Sequence, residues 1–263
     1  MTMIKNLTLI ILTDRDDNIF HQSLMSAALA EKLIILDQET KNDWPQLKKE
    51  LKKLNPKIEI TIVERQGKIE DFARVRNNAI KMVKTDWLMF LDSDEVFQVP
   101  DPKYLKQLLN SHSVSGYQVK RSDYFLGNRI RFGEAGTSQP IRLAYKNKIV
   151  FERKVHETAK ITGIVADSGL EIKHLAHKNL QEFLADISDY ALLEAQYRYE
   201  QQLVYSALKI ICQALTYPVG KFLYNYVWKL GFLDGFGGFI YASFMSLHSL
   251  LVRVYLYEQY FLN

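Results

Sequence analysis

Apolar runs and helical stripes alternate along the first hundred residues. Leu7 to Leu12 is an apolar run of strand length, and Lys32 to Asp37 (KLIILD) is a second that ends in an acid; Asp17 to Ala30, between them, has helical spacing. Trp44 to Leu54 repeats Leu47, Leu51 and Leu54 along one helical face, and Ile58 to Val63 is a third strand rich in β-branched residues. Ile69 to Val83 spaces Phe72, Val75, Ala79 and Met82 or Val83 three and four apart, which leaves Arg74, Asn77, Asn78 and Lys81 elsewhere on the helix surface. Asp86 to Leu91 is the fourth strand. Strands separated by crossover helices predict an α/β fold with a mostly parallel, doubly wound sheet. After a short helix near Lys103 to Asn110, the stretch Ser115 to Phe151 reads as mixed and strand-rich, punctuated by Gly116, Gly127, Gly133 and Gly136, and Lys178 to Gln202 reads as a long helix.

Doubly wound sheets bind ligands outside the carboxyl ends of their strands, and Asp14, Asp37 and Asp92 all fall at such ends. Turn chemistry also favours Asp there, so position alone does not decide their role. The sharpest signal is WLMFLDSDEVF, Trp87 to Phe97, where a buried-strand pattern stops at Asp92, Ser93, Asp94 and Glu95. Carboxylates crowded at the tip of a buried strand repel one another and lose hydration, so a positive charge is expected among them. Mg²⁺ or Mn²⁺ meets that need, because a hard cation held by one or two carboxylates keeps positions open for phosphate oxygens. The chemistry implied is that of a nucleoside diphosphate. A strand that simply ends in a solvated acidic turn is the plainer alternative for so short a pattern.

A formal net charge of +4 without any dense basic stripe excludes a nucleic-acid partner. Cys212 is the sole cysteine, which rules out an internal disulfide and fits a reducing compartment. The run Leu7 to Leu12 is too short for an export signal, so the cytoplasmic side is expected. Charge then thins sharply: from Tyr197 onward eight of 67 residues are charged, while 17 of the 32 aromatic residues lie there. Between Leu203 and Tyr257 the apolar stretches are interrupted by Pro218, Lys221, Lys229, Gly231, Asp234, Gly235, Gly237, Gly238 and Arg253, so no unbroken span of about 20 apolar residues is expected. Amphipathic helices lying at a headgroup boundary fit this composition, and completion of a globular core or a dimer interface is the competing reading. The predicted organisation is a catalytic domain over 1–196, divided into a nucleotide-binding half (1–95) and an acceptor-side half (96–196), followed by an aromatic, membrane-associating helical region over 197–263.

With Arg76-Asn77-Asn78-Ala79 ahead of the acidic turn and Val155-His156-Glu157 after it, the chain resembles the inverting glycosyltransferases of family 2. Within them it is most similar to the branch of bacterial lipopolysaccharide core β-glucosyltransferases. The likeness runs through FARVRNNAIKMVKTDWLMFLDSDE, DYFLGNRIRFG, QPIRLAYK, RKVHE and IKHLAHKNLQEFL, with GFLDG in the tail. The resemblance implies a GT-A fold, a nucleotide-sugar donor (a UDP-sugar in the first instance) and a lipid-linked saccharide acceptor at the cytoplasmic face of the membrane. Carried over by position, Asp37 would contact the base or ribose, Arg76 and Asn77 would lie beside the nucleotide, and Asp92 and Asp94 would hold the metal against the diphosphate. His174 matches a later family histidine and becomes a further metal ligand, with His177 as its neighbour and competitor. Glu157 occupies the position of the catalytic base, with Glu134 in reserve and His156 placed to orient it; a salt-bridged loop acid is the plainer reading of Glu157. One departure stands out: the family carries an aspartate shortly before its "RL" element, whereas Gly136 to Pro140 contains no acid. A polyprenyl-phosphate sugar synthase, a sugar-phosphate nucleotidyltransferase and a non-catalytic nucleotide-binding membrane adaptor are the alternatives; the nucleotidyltransferase normally opens with a glycine-rich phosphate loop, and residues 13–18 (TDRDDN) contain no glycine.

Overall fold

The computed structural model describes residues 2–67, 69, 71–99, 101–125, 127–153, 157–177, 179–201 and 206–262, with backbone alone at 176 and 177. They form two compact units: Met1–Arg121 with Gln139–Leu175, and Ser122–Ser138 with Ala176–Asn263. The break after Leu175, rather than after residue 196, follows from the long helix that comes next, whose apolar stripe is buried within the aromatic tail.

In the first unit the four expected strands are β1 (Ile4–Thr13), β2 (Ala30–Gln38), β3 (Glu59–Arg65) and β4 (Trp87–Asp92), paired in parallel in the order β3-β2-β1-β4. The crossovers are α1 (Asn18–Ser26), α2 (Trp44–Leu54) and α3 (Phe72–Met82). Asp17, Asp43 and Asp71 cap them, each accepting a hydrogen bond from the amide of Phe20, Gln46 or Arg74. Alternation along the strands supplies both faces of the sheet. Leu9, Ile11, Met89 and Leu91 pack with Phe20, Leu24 and Leu51 on one side, and Ile10, Leu88 and Phe90 pack with Ala73, Val75 and Ala79 of α3 on the other.

The parallel ladder stops at β4. There the chain turns back through Ser93 and Asp94 into β5 (Glu95–Gln98), and α4 (Pro102–Leu109) leads to β6 (Gly116–Phe125), β7 (Asn128–Arg129) and β8 (Ile141–Tyr145). A two-stranded sheet of β9 (Ile149–Glu152) and β10 (Thr158–Ile161) precedes β11 (Val165–His177). The main sheet continues β4-β8-β6-β11-β5, and β4/β8, β6/β8 and β11/β5 are antiparallel. The sheet is therefore mixed, its parallel part confined to the strands joined by helices.

In the second unit α5 (Leu180–Glu200), α6 (Ala207–Leu223) and α7 (Gly235–Phe261) pack together, with a π-helical turn at Tyr224–Trp228 and a 3-10 turn at Gly231–Asp234 linking the last two helices. Phe183 and Ile187 of α5 meet Ile240, and Ala191 and Ala195 meet Ile210, Val252 and Leu256. The tail glycines do not interrupt α7 as expected. It runs for 27 residues, and Gly231–Phe261 is long and apolar enough to cross a membrane by length and composition. Gly238 is used for close approach, since a Cβ there would overlap the Gly231 carbonyl oxygen.

Candidate active site

Sheet register brings the predicted acids to one rim. Thr13 pairs with Asp37, Leu12 with Asp92, and Asp37 with Glu64, so Asp14, Asp37 and Asp92 all sit at the carboxyl ends of adjacent parallel strands. The acidic turn after β4 is fixed on three sides. Glu95 Oε2 accepts the Asp92 amide at 3.1 Å, Ser23 of α1 donates its hydroxyl to the Asp92 carbonyl at 3.2 Å, and the Leu175 amide of β11 donates to the Asp94 carbonyl at 2.8 Å.

Two arginines close on this turn. Arg76 Nη2 donates to Asp92 Oδ1 at 2.7 Å and its Nε to Glu157 Oε1 at 2.8 Å, while Arg142 Nη2 donates to Asp92 Oδ2 at 2.6 Å and also binds Glu95 Oε1. Arg76 is held from both flanks by rings: its Cζ lies 5.2 Å from the centroid of Phe90 and 5.5 Å from that of Phe151. These contacts explain why α3 also turns Arg76 inward, beside Val75, Ala79 and the following Val83, which are buried as the helical spacing predicts, with Val83 and not Met82 completing the stripe.

Electrostatics follow the geometry. Burial works against the charge on Asp92, yet Arg142 and Arg76 overcome it and hold its carboxyl far below the usual carboxylate range. Burial likewise opposes both guanidinium charges, and the facing carboxylates hold Arg76 and Arg142 above their ordinary value. Glu95, fully buried, is pushed up by its burial. Arg142 and Glu95 were not singled out as site residues from sequence. An arginine inside the apolar strand IRLAY was the available signal for the first, and the unbroken apolar context of EVF for the second.

Asp94 is treated differently. Burial opposes its ionisation, the neighbouring His174 overcomes it, and its carboxyl is set below the usual value. His174 Nε2 lies 3.5 Å from Asp94 Oδ2, brought there by the β11/β5 register that pairs His174 with Glu95. Asp94 Oδ1 is buried without any hydrogen-bond partner. An orphaned carboxylate oxygen beside an imidazole suits a divalent cation that completes its shell with phosphate and water oxygens. No group of three or more His, Cys, Asp or Glu side chains that could hold a metal occurs among the described residues.

The other expected site residues fall as follows. Both oxygens of Asp92 accept hydrogen bonds from arginines. Asp37 is buried with Oδ1 accepting the Thr40 amide and hydroxyl at 3.1 and 2.6 Å and Oδ2 accepting Trp44 Nε1 at 2.8 Å, so its carboxylate ties down the loop after β2. Asn77 spends its amide on the backbone of Phe151, donating to the carbonyl and accepting from the amide, both at 2.9 Å, which ties α3 to β9. Asp14 is exposed at the rim. Glu134 belongs to the second unit, where Lys221 Nζ donates to it at 2.7 Å. His156 lies outside the described residues, as does the side chain of His177.

Residues 17–167, more than half of the chain, match the family model for Glycosyl transferase family 2. Among solved structures, the chain is similar to the mannosyltransferase PcManGT from Pyrobaculum calidifontis, in complex with GDP-Man and Mn²⁺: 11% identity, TM-score 0.55, covering 97% of this chain and 88% of that one. It also aligns with S. aureus TarS 1-349 at 12% identity and TM-score 0.44, covering 96% and 90%. The matched stretch contains Arg76, the acidic turn, Arg142 and Glu157, and the chain belongs to glycosyltransferase family 2, as a glycosyltransferase of α/β, GT-A-like fold.

Proposed function

We propose that this glycosyltransferase is metal-dependent and inverting, moving a hexose from a nucleotide-sugar donor, a UDP-sugar in the first instance, to a lipid-linked saccharide at the cytoplasmic membrane face, in the manner of the lipopolysaccharide core branch. The observation that carries the reading is that one buried guanidinium, Arg76, holds both Asp92 of the acidic turn and Glu157. The donor-side acid and the candidate base are thereby set at a fixed separation before any substrate arrives.

Glu157 takes the proton from the acceptor hydroxyl as that oxygen attacks the anomeric carbon, and the nucleoside diphosphate leaves from the opposite face. Arg76 and Arg142 keep Asp92 ionised and immobile, so the turn presents Asp94 in one geometry. Asp94 and His174 would hold the divalent cation, Mg²⁺ or Mn²⁺, whose charge offsets that of the departing diphosphate. His156 is the neighbour suited to orient Glu157 or the acceptor. A lipid-borne acceptor is supported by the apolar exposure of the second unit, where Leu208, Leu215, Trp228 and Phe236 face solvent.

Nucleoside diphosphate release from a panel of nucleotide sugars, with and without Mn²⁺, tests the reading. Release should require the metal and vanish in Asp94→Ala, while Glu157→Gln should keep metal-coupled donor binding and lose transfer. Undiminished release in Asp94→Ala or in chelator would overturn it.

A further inference from the structure

The second unit carries an apolar surface that its own packing does not cover. On α6, Leu208, Ile211, Leu215, Val219 and Leu223 recur at helical spacing and are all exposed, Leu208 by 71%, Leu215 by 70% and Val219 by 59%. The surface continues onto the π-helical turn, where Trp228 is 80% exposed, and the first turn of α7, where Phe236 is 75% exposed. From Lys209 to Lys221 the helix has no charged residue between them.

Charge around this surface is one-sided. Between Gln201 and Tyr257 the only acid is Asp234, and its carboxylate is turned inward, with Oδ2 accepting the amides of Arg131 at 2.9 Å and Phe132 at 2.8 Å. Lys209, Lys221, Lys229 and Arg253 are the basic residues of that stretch. Arg253 is buried on α7 with its Cζ 4.6 Å from the Tyr217 ring centroid, which locks α7 to α6. The other neighbour of α7 is α5, which bears Glu182, Asp186, Asp189, Glu194, Arg198 and Glu200. A bilayer-spanning α7 would have to draw that charged helix into hydrocarbon alongside it, at a cost of about 2.5–3.5 kcal/mol or more per charge.

We infer that the exposed face of α6 and the Trp228–Phe236 turns lie in the interface of an anionic phospholipid bilayer, with α7 resting above the hydrocarbon instead of crossing it. Large apolar and aromatic side chains enter the headgroup boundary, Lys209 and Lys229 meet lipid phosphates while Lys221 stays paired with Glu134, and the acids of α5 stay in water. This rests on the membrane part of the proposed function and adds the face, the lipid charge and the mode of attachment.

The single cysteine makes the test direct. Cys212 is exposed on the same face of α6, so the native full-length chain can be labelled there with an environment-sensitive fluorophore. Its emission should shift to the blue with phosphatidylcholine–phosphatidylglycerol vesicles, far less with phosphatidylcholine alone, and bound protein should be released by alkaline carbonate. Leu215→Glu and Val219→Glu, at exposed positions, should each weaken vesicle partition roughly tenfold without altering the circular dichroism spectrum. A label that remains in a polar environment, partition unchanged in both variants, extraction by detergent only, or burial of the label through self-association without lipid would each overturn the inference. Metal-dependent nucleotide release in lipid-free buffer is read in parallel: its absence with intact vesicle binding sinks the transfer reading alone, and its presence without vesicle binding sinks the membrane face alone.

Discussion

Arg76 Nε donates to Glu157 Oε1 at 2.8 Å, a contact between residues 81 positions apart in sequence. The same guanidinium reaches Asp92, so its planar fork sets the distance between the two acids. An ammonium has no fork. Arg76→Lys should therefore keep the charge and lose the geometry, lowering kcat by about 10²-fold while donor affinity changes far less. Arg76→Met leaves Asp92 and Glu157 short of a buried partner and should cost about 3–5 kcal/mol of stability, read from urea denaturation.

Asp92 gives the fold a definite acid limb. Its carboxyl is depressed in the folded state, so the stability it contributes is present above the unfolded carboxylate value, about 3.9, and is lost as pH falls toward the folded value. Asp92→Asn removes this dependence and leaves Arg76 and Arg142 facing an amide. The variant should be less stable than the native chain at pH 7, and the gap in urea midpoint should narrow as pH is lowered. A gap that stays constant on acidification would show that the arginines do not depend on this charge.

The parallel half of the sheet was legible because each buried strand is a short apolar run and each crossover helix carries a stripe. The mixed half was not, since β5, β8 and β11 are united by pairing across long sequence distances that no local pattern announces. The same divide runs through the site. The acidic turn stood out in the residues themselves, Arg76 and His174 only through the family resemblance, and the arginine clamp on Asp92 not at all, because Arg142 enters from a strand 50 positions away. The hydrogen bonds of Asp37 and Asn77 to neighbouring loops and strands were not legible for a related reason: a polar residue at a strand end or on a helix looks the same in sequence whether or not it pins a loop. The tail misled in another way. Its glycines read as breaks, yet Gly238 lets the Gly231 carbonyl approach α7 while the helix continues.

His174 separates cation binding from folding. It stands beside Asp94 outside the arginine clamp, so His174→Ala should lower the urea midpoint less than Arg76→Met does. Removing one of the two proposed metal ligands should weaken Mn²⁺-coupled nucleoside diphosphate binding by at least about tenfold, equivalent to 1.4 kcal/mol, in calorimetric titration. Equal affinity in the variant would assign the imidazole a purely structural place next to Asp94.

Asp234 offers a test confined to the second unit. Its Oδ2 accepts two consecutive backbone amides, those of Arg131 and Phe132, and so ties the Ser122–Ser138 segment to the turn before α7. Asp234→Ala removes the acceptor from both amides, of which that of Arg131 is exposed and that of Phe132 part-buried, and a lost hydrogen bond of this kind costs about 0.5–1.5 kcal/mol. Asp234→Asn keeps one acceptor oxygen and should recover part of that loss. Hydrogen exchange at the amides of 131 and 132 should accelerate in the alanine variant, while exchange in β1 and β4 and metal-dependent nucleotide binding remain as in the native chain. Faster exchange throughout β4 as well would mean that the two units unfold as one, and the tail would then have to be counted among the elements that hold the acidic turn in place.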